Sequence, residues 1–136
     1  MKECFDCHGD MATEVRGLNN LHPGVKDGNC ESCHLRHGRL PKLLLKIDGN
    51  GLCLDCHDRA GLGLDAEYPH EPVRTGKCVD CHDPHGSNAP HLLTAGGPEA
   101  CYACHDRAEF EQAVVHEVVR TEGCESCHVA HGSTHE

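Results

Sequence analysis

The chain has 136 residues, about one small domain. It combines 12 cysteines and 14 histidines with only two phenylalanines, two tyrosines and no tryptophan, so a core built from side chains alone would be thin. The formal net charge of −10 at pH 7 argues against nucleic acid as a partner, because such proteins need a basic face. No stretch approaches the roughly 20 apolar residues of a membrane span, so no transmembrane segment is predicted.

The predicted elements are short helices separated by glycine- and proline-rich segments. Residues 98–119 are the best candidate for a longer helix, with Pro98 near its start. Three glycines stand where a helix C-terminal residue with positive φ would be useful: Gly38, Gly86 and Gly132. No convincing β pattern is present. The predicted fold class is therefore mostly irregular with short α-helices and little or no β structure.

All 12 cysteines fall in six Cys-x-x-Cys-His motifs, at residues 4–8, 30–34, 53–57, 78–82, 101–105 and 124–128. Disulfide pairing would explain an even number of cysteines but not the histidine after each pair. Zinc sites use Cys-x-x-Cys pairs, yet they usually combine two half-sites at other spacings. Covalent haem c requires this local pattern, because two thiols add to the haem vinyl groups and the adjacent histidine ligates the iron.

Six haems c are therefore predicted. Both thiols of a motif can meet one porphyrin edge, because residues i and i+3 share a helical face. The attachment residues are Cys4, Cys7, Cys30, Cys33, Cys53, Cys56, Cys78, Cys81, Cys101, Cys104, Cys124 and Cys127. The iron ligands within the motifs are His8, His34, His57, His82, His105 and His128. With so few residues for each haem, the haems are expected to form the core, with porphyrin faces covered by Leu43, Leu44, Leu45, Leu92 and Leu93.

The surroundings of the motifs alternate along the chain. The second, fourth and sixth motifs are followed by x-x-His-Gly, and a further histidine stands eight residues before the first cysteine of each. The two-motif unit occurs three times, 49 and then 48 residues apart, starting at Cys4, Cys53 and Cys101. Repeats of this size usually form stacked arrays. The predicted organisation is one six-haem domain, 1–136, with repeats of about 4–52, 53–100 and 101–136.

This arrangement resembles the doubled-CXXCH class of multihaem c-type cytochromes, and the resemblance covers nearly the whole chain. Members of this class are similar in being exported, haem-packed electron carriers or conduits. The resemblance therefore implies a periplasmic or extracellular protein. Haem c is attached after export, so we expect the encoded precursor to carry a signal that this chain, which begins inside a motif, does not contain.

Six further histidines recur in phase and are the predicted second axial ligands: His22, His37, His70, His85, His116 and His131. His85 is not expected to bind the iron of His82. Three residues span at most about 10 Å even when extended, and two ligands on opposite faces of one iron need their backbones further apart than that. His85 is expected to ligate a different haem, and a helix cap or a propionate contact is the alternative. His91 and His135 do not recur in all three repeats. They are predicted to be ordinary surface histidines, with propionate contact or substitute ligation as the alternative.

Two pairings of these ligands with the haems are open. In the closed pairing each repeat serves its own haems: His37, His85 and His131 serve those at Cys4, Cys53 and Cys101, and His22, His70 and His116 serve those at Cys30, Cys78 and Cys124. In the crossed pairing the downstream histidines reach into the next repeat. The closed pairing is favoured, because no repeat follows His131 in this chain.

Two imidazoles on each iron leave no open position for a substrate and keep the ligand set unchanged when the iron changes oxidation state. The chain is therefore predicted to transfer electrons and not to act as an enzyme. The predicted partners are redox proteins or copies of the chain itself, since the order of motifs lets the end of one copy meet the start of another, as in a filament. The alternative is a multihaem reductase acting on nitrite or hydroxylamine, which needs an open haem. Acidic residues beside the motifs are expected to lower the reduction potentials where they lie near iron, and a solvated face is the alternative.

Overall fold

The computed structural model describes residues 2–36 and 45–135, and of Lys2 and Glu3 only the backbone. Within these ranges most of the chain is irregular, which confirms the predicted fold class. The α-helices are α1 (Lys2–Phe5), α2 (Gly9–Gly17), α3 (Pro23–Lys26), α4 (Gly51–Leu54), α5 (Glu71–Thr75), α6 (Glu99–Tyr102), α7 (Arg107–Phe110) and α8 (Glu117–Thr121). Single 3₁₀ turns cover Cys30–Ser32, Cys78–Asp80, Pro90–Leu92 and Cys124–Ser126. None of the described helices combines the length and the apolar character needed to cross a bilayer.

Two small antiparallel sheets join the repeats. Their two-residue strands are β1 (Asn20–Leu21), β2 (Tyr68–Pro69), β3 (Gly86–Ser87) and β4 (Gly132–Ser133). β1 pairs with β3 and β2 pairs with β4. Each sheet thus connects a segment before the even motif of one repeat to a segment after the even motif of the next repeat. Backbone hydrogen bonds consequently interlock neighbouring repeats.

Gly86 and Gly132 lie in these strands and do not end helices, so the predicted helix cap is wrong at both positions. A Cβ atom at Gly86 would lie 2.5 Å from the carbonyl oxygen of Asn20, and one at Gly132 would lie 2.9 Å from that of Gly63. Only glycine allows the backbones to approach this closely. Gly38, the third glycine of the predicted set, lies outside the described residues.

The long helix predicted for residues 98–119 is also wrong, because α6, α7 and α8 divide the stretch into three. The side chain of Asp106 accepts a hydrogen bond of 2.9 Å from the amide of Ala108 and so begins α7 as a helix N-cap. His116 is extended, with φ −58° and ψ 130°, and precedes α8. The helical spacing of apolar residues is therefore overridden by local polar contacts and by an extended histidine.

The peptide forms almost no interior of its own. Among the described residues only three apolar side chains are buried, those of Ala12, Val15 and Ala89, and no side chain is completely enclosed. The accessible surface is 10371 Å², whereas a folded protein of 14.8 kDa exposes about 7,000 Å² by the usual scaling with mass. A chain that exposes this much surface needs a further apolar group to complete its core. This is consistent with the expectation that cofactors fill the interior.

Candidate cofactor-binding site

All six Cys-x-x-Cys-His motifs adopt the same turn. In each, the amide of the motif histidine donates a hydrogen bond of 2.9–3.0 Å to the carbonyl of the first cysteine, four residues earlier. The odd motifs begin in α1, α4 and α6, and the even motifs lie on 3₁₀ turns. The first cysteine of every motif is half-buried, and the second is exposed except for the half-buried Cys33. The twelve thiols, all within the described residues, form no disulfide with one another.

The two motifs of each repeat meet at their first cysteines. The contacting thiols are Cys4 with Cys30, Cys53 with Cys78, and Cys101 with Cys124. Burial raises the pKa of the Cys30 thiol, and the adjacent Cys4 thiol raises it further. The pKa values of Cys53 and Cys101 are raised by the same two causes in the same order. Both motifs of a repeat therefore present their attachment points to one shared region.

Cysteines of successive repeats also lie within electrostatic range of one another. Cys33, in the second motif, is an electrostatic neighbour of Cys53, in the third. Cys81, in the fourth motif, is likewise a neighbour of Cys101 and Cys104 in the fifth. Together with the contacts inside each repeat, these interactions bring the thiols of every motif within electrostatic range of those of the next motif along the chain.

Four motif histidines face another histidine, ring to ring. The pairs are His22–His57, His34–His85, His70–His105 and His82–His131, with ring centroids 6.1, 6.0, 6.0 and 6.0 Å apart. The planes of the second and third pairs are within 16° and 14° of parallel, and those of the others are rotated further. Every pair joins one motif histidine to one of the predicted second ligands.

The common separation of these rings matches two imidazoles on opposite faces of one metal ion. A metal–imidazole nitrogen bond is about 2 Å long and the ring centre lies roughly 1 Å beyond the nitrogen, so two such rings have centroids about 6 Å apart. Ordinary aromatic contacts have similar centroid separations, such as 6.1 Å between His105 and Phe110, so the distance alone does not distinguish the four pairs. What distinguishes them is their composition, one motif histidine with one spacer histidine, at a separation that two imidazole ligands of one iron would have.

Backbone carbonyls orient both rings of the His82–His131 pair. Nδ1 of His82 donates to the carbonyl of His91 at 2.8 Å, and Nδ1 of His131 donates to the carbonyl of Leu62 at 3.1 Å. A carbonyl only accepts, so Nδ1 carries the proton and Nε2 keeps the lone pair that binds a metal. Both rings are thus held in the tautomer that suits ligation through Nε2.

The exposed side chain of His91 agrees with the surface role predicted for it, but its backbone has a role that the sequence did not indicate. His91 adopts φ +55° and Leu92 φ +58°, which is the left-handed conformation that non-glycine residues seldom take. This pair of residues forms the turn that brings the His91 carbonyl to His82. Strained backbone of this kind tends to occur at functional sites. His135 is exposed as well.

Four of the predicted second ligands are joined in two pairs through the backbone. The amide of His22 donates to the carbonyl of His85 at 3.1 Å, and the amide of His70 donates to that of His131 at 3.0 Å. These hydrogen bonds continue the β1–β3 and β2–β4 ladders by one residue. Burial lowers the pKa of His22, and His57 and His85 lower it further, which favours the neutral imidazole that binds metals.

The closed pairing of histidines with motifs is wrong for the four pairs. His85, for example, faces His34 and not His57, the histidine of its own repeat's first motif. The upstream histidines His22 and His70 face the odd motif of the following repeat, and the downstream histidines His85 and His131 face the even motif of the preceding one. The predicted crossed pairing is also wrong in direction, since it sent the downstream histidines forward. The physical reason is the strand pairing, which places His85 and His131 beside the previous repeat.

Three histidines have no imidazole partner within the described residues: His8, His116 and His128. His37, Leu43 and Leu44 lie outside those residues, so the predictions made for them are not addressed by the structure. Nowhere in residues 2–36 and 45–135 do three cysteine, histidine or acidic side chains converge as a metal cluster. A structural zinc site needs four such ligands.

A family model described as the doubled CXXCH motif matches the chain twice, over residues 22–62 and 70–110, which is more than half of its length. Each match begins at an upstream histidine and extends past the odd motif of the following repeat. It therefore contains both rings of one pair, His22 with His57 or His70 with His105. Each match therefore starts inside one of the repeats predicted from the sequence and ends inside the next one. A search of curated proteins found no match to the chain.

Proposed function

Since the chain belongs to the doubled CXXCH motif family, we propose that it is a six-haem c-type cytochrome that conducts electrons between redox partners along a row of haems. Membership of the family indicates a multihaem c-type cytochrome with a role in electron transfer. The finer proposal is carried by the four imidazole pairs with centroids 6.0–6.1 Å apart. Bound haem supplies the one-electron change between ferric and ferrous iron, and the peptide supplies ligands, spacing and electrostatics.

Each motif is proposed to hold one haem through its two cysteines and its histidine. The second ligands proposed for the four central motifs are His85 for the motif at Cys30, His22 for that at Cys53, His131 for that at Cys78 and His70 for that at Cys101. The proposal is supported by the composition of the pairs, since no pair joins two motif histidines or two spacer histidines. His37 stays a predicted ligand.

The contacts between thiols support a row of haems in chain order. Each motif adjoins the next through cysteines, first within a repeat and then across the repeat boundary. Because the cysteines are the attachment points, neighbouring haems would lie edge to edge along the whole chain. An electron that enters at one motif would then pass through the motifs in sequence order.

A carrier is favoured over a reductase for the four paired motifs. Two imidazoles would occupy both axial positions of each iron, so a substrate such as nitrite would have no position to bind. The same two ligands suit both oxidation states, so little reorganisation would oppose transfer. The net charge of −10 is expected to favour the ferric state and lower the potentials of the haems nearest to carboxylates.

The proposed location is outside the cytoplasm, in the periplasm or at the cell surface. Cytochromes with CXXCH-bound haem are typically exported, because haem c is attached after export. Fractionation of cells that produce the native protein distinguishes the two places.

Mass spectrometry of the intact chain, combined with a pyridine haemochrome assay, tests the proposal. The expected mass is that of the peptide plus six haems. Carbon monoxide should not bind the four central haems of the reduced protein, because both faces of each iron carry imidazole. Fewer than five haems, or carbon monoxide binding at the central motifs, would contradict the proposal.

A further inference from the structure

Asn50 stands directly before α4, and its two carbonyl oxygens bind both motifs of the second repeat. Its backbone carbonyl accepts a hydrogen bond of 3.1 Å from the amide of Cys53, the first cysteine of the odd motif. Its side-chain oxygen, Oδ1, accepts a hydrogen bond of 2.9 Å from the amide of Cys78, the first cysteine of the even motif. One residue therefore receives the amides of both first cysteines, whose thiols also contact each other.

The side chain of Asn50 makes a second hydrogen bond to the approach of the even motif. Its nitrogen, Nδ2, donates to the carbonyl of Gly76 at 3.0 Å. Both side-chain hydrogen bonds are partly buried, and they join positions 26 and 28 residues apart in the chain. We call this pair of hydrogen bonds the Asn50 clamp. Because the amide group is planar and donates on one side while it accepts on the other, the clamp fixes the orientation of the bound segment as well as its distance.

The start of α4 does not account for the position of this side chain. An asparagine that precedes a helix usually accepts a hydrogen bond from the second or third amide of that helix. Asn50 makes no such bond, and its φ of −64° and ψ of −20° are already helical. Its side chain is directed to the even motif instead, so it stabilises the contact between two motifs and not its own helix.

The segment that Asn50 binds is otherwise fixed by local contacts. The amide of Gly76 donates to the carbonyl of Pro72 at 2.7 Å, and a Cβ atom at Gly76 would collide with the same carbonyl oxygen. The amide of Lys77 donates to a carboxylate oxygen of Asp80 at 2.8 Å. Asn50 supplies partners for the two remaining backbone groups, which would otherwise need water. The clamp therefore attaches an ordered segment and not a loose one.

The third repeat has no equivalent of the Asn50 clamp. Pro98 stands three residues before the first cysteine of its odd motif, and the backbone carbonyl of Pro98 accepts a hydrogen bond of 3.0 Å from the amide of Cys101. The backbone half of the arrangement is thus the same in both repeats. Proline has no polar side-chain group, so it cannot bind the even motif. The side-chain clamp distinguishes the second repeat from the third.

We infer that Asn50 is a positioning residue for electron transfer, which fixes the haem attached at Cys53 relative to the haem attached at Cys78. The inference rests on the proposed function, because it needs both haems. Each haem would be bonded to the first cysteine of its motif, so the backbone of that cysteine determines where the haem edge lies. An electron on one haem repels an electron on its neighbour, and this repulsion decreases with distance. Asn50 therefore sets how strongly the third and fourth haems interact.

Replacing Asn50 by leucine in the haem-loaded chain tests this role. Asn50→Leu keeps the number and branching of the side-chain heavy atoms but removes both hydrogen bonds of the clamp. The expected result is a smaller redox interaction between the haems at Cys53 and Cys78, measured as the shift in the potential of one haem when the other is reduced. A redox titration followed through the NMR signals of individual haem methyl groups resolves this shift. The interaction between the haems at Cys101 and Cys124 should stay unchanged.

Asn29→Leu is the matched control. Asn29 directly precedes the even motif of the first repeat, and its exposed side chain makes no cap hydrogen bond. This variant should leave every interaction between haems at its native size. Asn50→Asp keeps the acceptor for the Cys78 amide and loses only the donor to the Gly76 carbonyl, so it should reduce the interaction less than leucine does. The aspartate variant decides the result if the leucine variant does not take up all its haems.

Hydrogen exchange at the Cys78 amide gives a second readout, which does not depend on electron transfer. This amide should exchange slowly in the reduced native protein and faster in Asn50→Leu. A redox interaction of native size in the leucine variant, or in a loaded aspartate variant when leucine prevents loading, overturns the inference. An equal loss in Asn29→Leu overturns it too. A native chain without haem at these two motifs would instead contradict the proposed function, and the inference with it.

Discussion

The amide of His22 donates a hydrogen bond of 3.1 Å to the carbonyl of His85, while the rings of the two residues face different motifs, at His57 and His34. One backbone contact between repeats therefore positions the proposed second ligands of two successive motifs. The pair of strands beside this contact is only two residues long, yet it sets the spacing of two neighbouring imidazole pairs. Side-chain packing contributes little to that spacing, because the described chain buries so few side chains.

Replacing His85 by alanine is expected to convert one haem from low to high spin, that at Cys30 and Cys33, because the His85 ring faces His34. In a chain that lacks this haem, Cys30→Ser/Cys33→Ser, the same replacement should produce no further change, because its target is absent. Electron paramagnetic resonance of the ferric protein measures both states. A new high-spin signal in the combined variant would show that His85 serves another haem, and His135→Ala is the control for loss of an unpaired histidine.

Gly86→Ala is expected to open the β1–β3 pair, because its Cβ would lie 2.5 Å from the carbonyl oxygen of Asn20. We expect a loss of about 1–3 kcal/mol in the free energy of unfolding, as for other overpacked sites. A high-spin signal should accompany it, since His22 and His85 both move. Gly17→Ala is the matched control at the end of α2, where a Cβ has no neighbour within 4 Å. Equal denaturation midpoints for the two variants would show that the close approach is not required.

His91→Val is expected to destabilise the loaded protein by about 1–2 kcal/mol, because a β-branched residue is strained in the left-handed conformation that His91 adopts at φ +55°. The hydrogen bond from His82 should weaken, which makes His82 a poorer ligand and raises the reduction potential of the haem at Cys78. His91→Gly tolerates the conformation and should leave that potential unchanged. Potentiometric titration compares the two variants. If valine and glycine shifted the potential equally, the side chain of His91 and not its carbonyl would be responsible.

Asp83→Asn is expected to raise the reduction potential of the haem that His85 ligates. An oxygen of Asp83 accepts a hydrogen bond of 2.9 Å from the His85 amide and lies 3.9 Å from its Nδ1. Removing this negative charge destabilises the ferric state by an amount on the order of tens of millivolts at an effective dielectric constant near 20. Asparagine can still accept from the amide, so the geometry is kept. Asp65→Asn, at an exposed carboxylate paired with Arg59, controls for the change in total charge, and an equal shift there would argue against a local effect.

The local chemistry of this chain could be predicted from the sequence, because it depends on residues close together. The motif turn needs only five residues, and its six copies share one backbone hydrogen bond. The histidines predicted as second ligands could likewise be recognised, because they recur at fixed distances from the even motifs. The pairing of those ligands could not, because it depends on strands of two residues, too short to show an alternating pattern. The link between β1 and β3 joins residues 20 and 87, and no sequence periodicity signals it.

Backbone groups account for the other features that sequence reasoning missed. The carbonyls of Leu62 and His91 orient two rings, and every residue has a carbonyl, so the sequence carries no sign of them. The left-handed turn at His91 and Leu92 lacks the glycine that usually marks such a conformation. The helix expected at 98–119 failed for a related reason, since the Asp106 cap and the extended His116 decide the backbone there.

The reciprocal exchange of ligands between neighbouring repeats has a consequence for how such chains change in length. The first and second repeats each place an upstream histidine against the odd motif of the next repeat, and each has its even motif faced by a downstream histidine of the next repeat. Deleting residues 53–100 would place His22 opposite His105 and His131 opposite His34, so every histidine that was paired across the deleted segment would find an equivalent mate. Duplication of the same segment would be equally balanced. Under the proposed function, genetic gain or loss of whole repeats would therefore lengthen or shorten the electron path in steps of two haems without creating an unligated iron at the new junction.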